Sequence, residues 1–404
     1  MRILVLDTIH GGKVIADHLI LSGHDVDMVD VYRHAEGITE ELALTRKYDL
    51  VTTPVHLDPD YHLLRNITSP VISHHEMVRS VFPHSNIPQI IEITGKRGKS
   101  TTATALAFLL SGPGVLQTSS GLYSYPDKQK LDRFSITPAS VLSAYSFKPA
   151  DGWMIAEISL GFCGIGSLGI LTSGDDYPVA GGKRSALDLK KESSHLFSVV
   201  LVPPEIELLH DGCISVSDLV EIHGKTASYQ YQNIKGTFSN PLLLLSGYKT
   251  PLMLAAGAAL LMGIDPAALS FFTAISGRLD TQSDHGFTII DNSNSGTCYD
   301  TSCDAYRYGK EIAGDVPITL IIGQESQSVC ENFDTSEIIS AILEIKPHDV
   351  MLIPGDKRIK CDTIRMICNK QSIGFSIFET PEEAYVNAKT LNNPLILFSV
   401  KRWK

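Results

Sequence analysis

The chain has 404 residues, 43% hydrophobic and 20% charged, an ordinary balance for a globular protein of two or three domains. Its net charge of −11 argues against nucleic acid as a partner, and the lack of any apolar run of about 18 residues argues against a membrane span. Seven cysteines without paired spacing, and a start that reads as a strand instead of a signal peptide, predict reduced thiols and a cytoplasmic protein.

Residues 1–88 read as a small α/β unit, with strands at 2–7, 26–32 and 48–55 and a helix at 13–22. Three polar clusters follow strand-like runs: Asp7 to Gly12, His56 to Asp60, and Ser73 to Glu76. In α/β sheets, ligands gather at the C-terminal ends of strands. His10, Gly11, Gly12, His56, His74 and His75 are therefore candidate substrate-binding residues, although each histidine taken singly is more often a hydrogen-bonded loop residue. The first turn is not GxGxxG, so a dinucleotide site is weakly supported.

Residues 89–110, QIIEITGKRGKSTTATALAFLL, join an apolar β-branched strand to a glycine turn and an Ala- and Leu-rich helix. That order makes a phosphate cradle, because glycines let backbone N–H groups approach an anion and the helix points its positive end at it. Gly95, Lys96, Arg97, Gly98, Lys99, Ser100 and Thr101 are the candidate nucleotide-binding residues. Lys99 is placed for the β and γ phosphates, and Ser100 for Mg²⁺. Position 93 is Ile where the full Walker pattern has glycine. The strand at 152–159 carries Glu157 near its end, which is either a magnesium ligand or a solvated strand terminus.

A strand at 168–172 leads into GDDYPVAGGKRSA at 174–186, where two acids and the pair Lys183-Arg184 suit a metal at one end and an anionic substrate at the other. The plainer alternative is a turn followed by a solvated helix start. Residues 199–202 read as a strand and 252–262 as an apolar, Ala-rich core helix. Ser276 to Asp280 marks a domain boundary. Strands at 287–291, 318–322, 350–353 and 395–400, with helices at 337–345 and 381–391, predict a second parallel sheet. The last four residues, KRWK, read as a solvated tail or, less simply, as a group that reaches an acidic ligand.

The order of these parts resembles the Mur ligase superfamily. ITGKRGKSTTA is similar to that family's short phosphate loop, which also lacks the first Walker glycine. AEIS at 156–159 resembles its magnesium glutamate, Ser276-Gly277-Arg278 its nucleotide-contacting GR motif, and Ile290-Asp291-Asn292-Ser293 its aspartate motif. The resemblance implies an α/β, three-domain Mur-ligase-like architecture. Its parts are a Rossmann-like substrate-recognition unit at 1–88, a P-loop ATPase domain at 89–276, and an α/β domain at 277–404 that closes on the nucleotide through Arg278 and Asp291. It places the family's carbamylated lysine at Lys190, with Lys183 and Lys191 as neighbours. Asp175 and Asp176 stand where a metal-binding histidine is usual, and Asp176 is carried forward with Ser100 and Glu157 as a metal ligand. The HNxxN signature is missing.

A narrower resemblance rests on LDTIHGG, PVHLDPDY, PVISHHE, ITGKRGKSTTA and DDYPVAGGKRSA, which are similar to the coenzyme F(430) synthetase family of methanogenic archaea. It implies an ATP- and Mg²⁺-dependent ligase whose substrate is a nickel seco-tetrapyrrole polycarboxylate. A propionate is activated as an acyl phosphate, with Lys99 and Lys190 in catalytic roles and Lys183 and Arg184 at the substrate. A ring carbon then attacks, forming a C–C bond, and His10, His74 and His75 are the candidates to take its proton. The alternatives are a Mur-like amide ligase and a nucleotide-switched binding protein.

Overall fold

The first strand, β1 (Arg2–Leu6), is apolar along both faces and accordingly lies inside its sheet. It is flanked by β2 (Asp25–Val29) and β3 (Leu50–Thr53), and β4 (Val71–Ser73) completes a parallel sheet in the order β2-β1-β3-β4. Helices α1 (Gly12–Leu21), α2 (Glu40–Thr45), α3 (His62–Asn66) and α4 (His74–Val81) accompany it. The computed structural model describes the chain except residues 83–86, 209–210, 276–278, 295, 326–332, 356–358 and 403–404. It falls into two units, one of residues 1–221, 228–238 and 250–269, the other of 222–227, 239–249 and 270–404.

Within the first unit the phosphate strand β5 (Ile87–Thr94) runs into α5 (Lys99–Leu109). It lies near the middle of an eight-stranded sheet with β6 (Gly114–Thr118), β7 (Gly121–Tyr125), β8 (Gln129–Asp132), β9 (Trp153–Glu157) and β10 (Gly166–Leu171). Helix α6 (Ser140–Tyr145) precedes β9. The loop after β10 contains a two-residue hairpin, β11 (Pro178–Val179) with β12 (Arg184–Ser185), before α7 (Ala186–Ser194); β13 (Val200–Val202) and β14 (Cys213–Ser215) extend the sheet. The β6–β8 edge is antiparallel, a feature the strand pattern does not announce. One hydrophobic cluster joins Ile3, Val5, Ile15 and Leu19 to Ile90, Val115, Met154 and Ile165, so the first two sheets share a core.

In the second unit six strands, Asp280–Asp284, Phe287–Asp291, Leu395–Lys401, Ile318–Gln324, Asp349–Ile353 and Gly374–Ile377, lie side by side in that order. The first pair is antiparallel and the rest parallel. The helix expected from residue 252 runs instead over Ser246–Leu261 with Pro251 inside it. Its first turn is capped by Asp304, whose carboxylate accepts Ser246 N (3.0 Å), Ser246 Oγ (2.7 Å) and Gly247 N (2.9 Å).

Glu92, on β5, is wholly buried and accepts four backbone N–H groups, from Cys163 (2.6 Å), Gly164 (3.1 Å), Ile165 (2.7 Å) and Gly166 (3.3 Å). Burial pushes its pKa up while these four donors pull it down. The carboxylate thus fastens the chain between β9 and β10 to the phosphate strand. Glu92→Leu orphans four buried donors and should lower unfolding stability by at least about 3 kcal/mol in urea titration; wild-type stability in that variant would contradict the bracing role.

Candidate active site

The turn from β5 into α5 uses two glycines that other residues cannot replace. Gly95 has φ +146°, and a Cβ there would lie 2.1 Å from Thr172 Oγ1; Gly98 has φ +81° and caps α5, with the Pro251 ring 3.1 Å from its would-be Cβ. Thr172 Oγ1 donates to Arg97 O (2.6 Å), and Ser173 Oγ accepts Lys96 N (3.2 Å) and Arg97 N (3.3 Å). Lys99 Nζ donates to Gly95 O (3.0 Å) and stands 3.7 Å from Glu157 Oε1. Ser100 Oγ donates to Glu157 Oε2 (2.9 Å), which also accepts Ser119 N (3.2 Å), and Thr101 is buried in the first turn. The structure therefore brings Lys99, Ser100 and Glu157 together. Hydroxyl and carboxylate oxygens are the hard donors Mg²⁺ takes, with phosphate oxygens and water completing its shell, so the residues fit that ion.

A second group lies against the same turn. Lys190 is fully buried, donates to Ala186 O (3.1 Å) and has its ammonium 4.9 Å from the centre of the Tyr177 ring; Lys96 stands 5.5 Å from that centre. Burial, and then the charge of Lys99, push the Lys190 pKa down to about 8. Asp176 Oδ1 accepts Ser185 Oγ (2.8 Å) and Leu187 N (2.9 Å) at the start of α7, and these donors hold its pKa low. Asp175 lies 3.8 Å from Arg97 Nε. Among the described residues no three His, Cys, Asp or Glu side chains converge as a metal-holding group. Lys183 Nζ is taken by Asp58 (2.7 Å) and Asp60 (2.5 Å), and Arg184 by Glu192 (2.9 Å). Nothing in the spacing of Asp58, Asp60 and Lys183, more than a hundred residues apart, announces that pairing.

The histidines of the first sheet gather at its C-terminal edge. His10 stands edge-on to Tyr32 (4.9 Å) and His56 (4.7 Å), and a cavity of about 50 Å³ is lined by His10, His56, His74, His75, Thr137 and Ser159. A larger cleft of about 220 Å³ adjoins it through Val55, His75 and Leu160. His75 Nε2 is 2.9 Å from Ser159 O. Burial pushes the pKa of His74 down to about 3 and of His75 to about 4, so both are neutral. Gly11 and Gly12 have packing reasons: a Cβ on Gly11 would meet Ala139 at 2.5 Å, and one on Gly12 would meet Asp7 O at 1.8 Å.

In the second unit Asp291 Oδ1 accepts Ser293 N (2.8 Å), and Arg402 lies 3.6 Å from Asp291 Oδ2 and 3.2 Å from Glu382. These residues line a cleft of about 150 Å³ with Gln282, Tyr385 and Phe398. The expected solvated tail is corrected for its first two residues: Lys401 is the buried last residue of its strand, and Arg402 is held by two carboxylates, while residues 403–404 lie outside the described residues. Arg278 lies outside the described residues.

Residues 281–402 match the family model described as coenzyme F430 synthetase CfbE, C-terminal domain. A coenzyme F(430) synthetase of Methanosarcina acetivorans is 30% identical over 408 aligned positions, covering 83% of this chain and 86% of that protein. The fold is similar to that of MurF from Acinetobacter baumannii, with a TM-score of 0.56 at 10% identity over 88% of each chain. It is also similar to MurF ligase from Thermotoga maritima in complex with ADP, with a TM-score of 0.51 at 11% identity over 88% of this chain and 91% of that one.

The two buried histidines make stability depend on pH. The unfolded chain takes their protons below about pH 6.5, while the folded chain does so only near 4 and 3, so stability falls as pH drops through that window. His74→Leu should lose less stability between about pH 7 and pH 5 than wild type in urea titrations; equal losses would contradict it.

Proposed function

The chain belongs to the coenzyme F(430) synthetase family and has the three-domain α/β fold of the Mur ligases; on that premise we propose that it uses ATP to close a carbocyclic ring on a nickel seco-tetrapyrrole. The observation that carries the reading is the convergence of Lys99, Ser100 and Glu157 where the phosphate strand turns into its helix. We assign residues 1–88 to substrate recognition, 89–276 to ATP binding and 277–404 to the nucleotide-contacting domain. Arg278 and Asp291 are given to the nucleotide on the family's pattern.

A carboxylate is a poor electrophile, because its charge repels nucleophiles and oxide leaves badly. Transfer of the γ-phosphoryl group of ATP to a propionate of the substrate makes an acyl phosphate and releases ADP. Such a step is promoted by positioning and charge neutralisation. Lys99 supplies a fixed positive charge for the transferring phosphoryl group. Ser100 and Glu157 would hold Mg²⁺, which supplies Lewis-acid stabilisation of phosphate oxygens when bound. Lys190 is kept partly as the free amine near neutral pH, the form that adds CO₂, so carbamylation there is chemically accessible and would add a carboxylate beside Lys99. The basic groups Lys96 and Arg97 answer the polyanionic character of both substrates, and Lys183 and Arg184 would have to exchange Asp58, Asp60 and Glu192 for substrate carboxylates to do the same.

The test is product mass after incubation with MgATP and the nickel seco-precursor, with no amine added. A product lighter by one water, with ADP and phosphate formed in equal amount, is expected. Lys99→Ala should slow its formation about 10²-fold or more. Precursor that gains mass only when an amine is supplied would establish an amide ligase and overturn the cyclase reading.

A further inference from the structure

Resting on the cyclase reading above, we propose that His10 takes the proton from the ring carbon that attacks the acyl phosphate, and that the buried Asp7 is its positioning residue. Asp7 follows β1 and is wholly buried, with φ +134°, a conformation that non-glycine residues hold only when their surroundings force it. Its oxygens accept the N–H groups of Ile9 (2.7 Å) and His10 (2.6 Å), and Oδ1 stands 3.4 Å from His10 Nδ1. The turn thus folds the imidazole back over the carboxylate. Nδ1 faces Asp7 at ion-pair distance without a hydrogen bond to it, which leaves Nε2 as the ring nitrogen turned away from the carboxylate. A carboxylate in this place stabilises the imidazolium that forms when Nε2 takes a proton.

Among the described residues, the groups facing His10 from neighbouring elements are less suited to accept a proton. Tyr32 and His56 clamp its ring edge-on. The Tyr32 phenol is pushed up by burial and then by the charge of Asp7, so it keeps its proton. Burial pushes His56 down, and His10 adds to that shift. His74 and His75 are enclosed, and His75 is tied to Ser159 O. His10 keeps 39% of its side chain exposed and borders the cavity whose far wall is Thr137, Ser159 and Leu160. Ser159 lies two residues beyond Glu157, so one strand end serves both the cavity and the carboxylate beside the phosphate loop. Leu160, on that wall, also holds a positive φ, +60°.

In the step, the carbon–hydrogen bond breaks and its proton goes to His10 Nε2. The electron pair forms the carbon–carbon bond to the acyl carbon, and the acyl carbon–oxygen bond breaks as phosphate leaves with its pair. Phosphoryl transfer from ATP comes earlier and does not use His10, so the two half-reactions separate.

The experiment quenches wild type, His10→Gln and His10→Ala with hydroxylamine during turnover with MgATP and the nickel seco-precursor, and measures ADP, hydroxamate and closed product. Both variants should form ADP and a trappable hydroxamate while ring closure falls about 10²-fold or more. Closure at the wild-type rate in either variant would overturn the proposal. Loss of ADP formation together with closure in both would also overturn it, since an acceptor used only for closure has no part in phosphoryl transfer. Absence of hydroxamate in wild type would overturn the acyl-phosphate reading on which it rests, a result distinct from the others.

Discussion

The carboxylate of Glu157 is 2% exposed at the end of a central strand, and the turn from β5 into α5 is built around supplying it with partners there. A buried carboxylate without partners costs several kcal/mol. The partners come from three directions: the Ser100 hydroxyl from the helix start, the Ser119 amide from the end of β6, and the Lys99 ammonium across the glycine turn. Each depends on the chain path around it. Gly95 must come close to Thr172, and Gly98 must adopt a left-handed conformation, before Lys99 and Ser100 can face Glu157 at all. A side chain at either glycine would move the phosphate turn and uncover the carboxylate.

Positive charge is crowded on the same side. Burial, and then the charge of Lys99, push Lys190 toward its neutral form, while the Tyr177 ring face lies near both Lys190 and Lys96. An anion entering between these groups relieves their repulsion, so the charge pattern favours phosphate although the whole chain carries −11. The same strand end that holds Glu157 continues through Ser159 to His75 and the histidine-lined cavity. The Glu157 strand end and the first sheet are therefore joined by two residues of backbone and one hydrogen bond.

The phosphate loop was legible because its signal is local: strand, glycines and helix start lie within one short stretch, and the conformational demand on Gly95 and Gly98 follows from residue type. Parallel strands such as β5 and β9 were legible as apolar runs. The antiparallel strands β7 and β8 were not, since β7 is short and only partly apolar and the edge strand β8 is exposed throughout. The helix of Ser246–Leu261 was read only over its apolar, Ala-rich part from residue 252; Asp304, far along the chain, caps it earlier. Long-range pairings carry no periodicity. The link of Arg402 to Asp291, of Lys183 to Asp58 and Asp60, and the place of Tyr177 beside two lysines arise only when distant strands meet. Asp7 was visible as a strand-end residue, but its turn back onto His10 depends on a backbone conformation that sequence pattern does not report.

The central claim, that the propionate is activated by direct phosphorylation, is tested most directly by oxygen transfer. The nickel seco-precursor labelled with ¹⁸O in that carboxyl group would be turned over with unlabelled MgATP, and the released phosphate analysed by mass spectrometry. One ¹⁸O atom in each phosphate, with ADP as the nucleotide product, is the predicted result. Phosphate free of label would mean that the carboxyl oxygen never bonded to phosphorus, and would contradict the account.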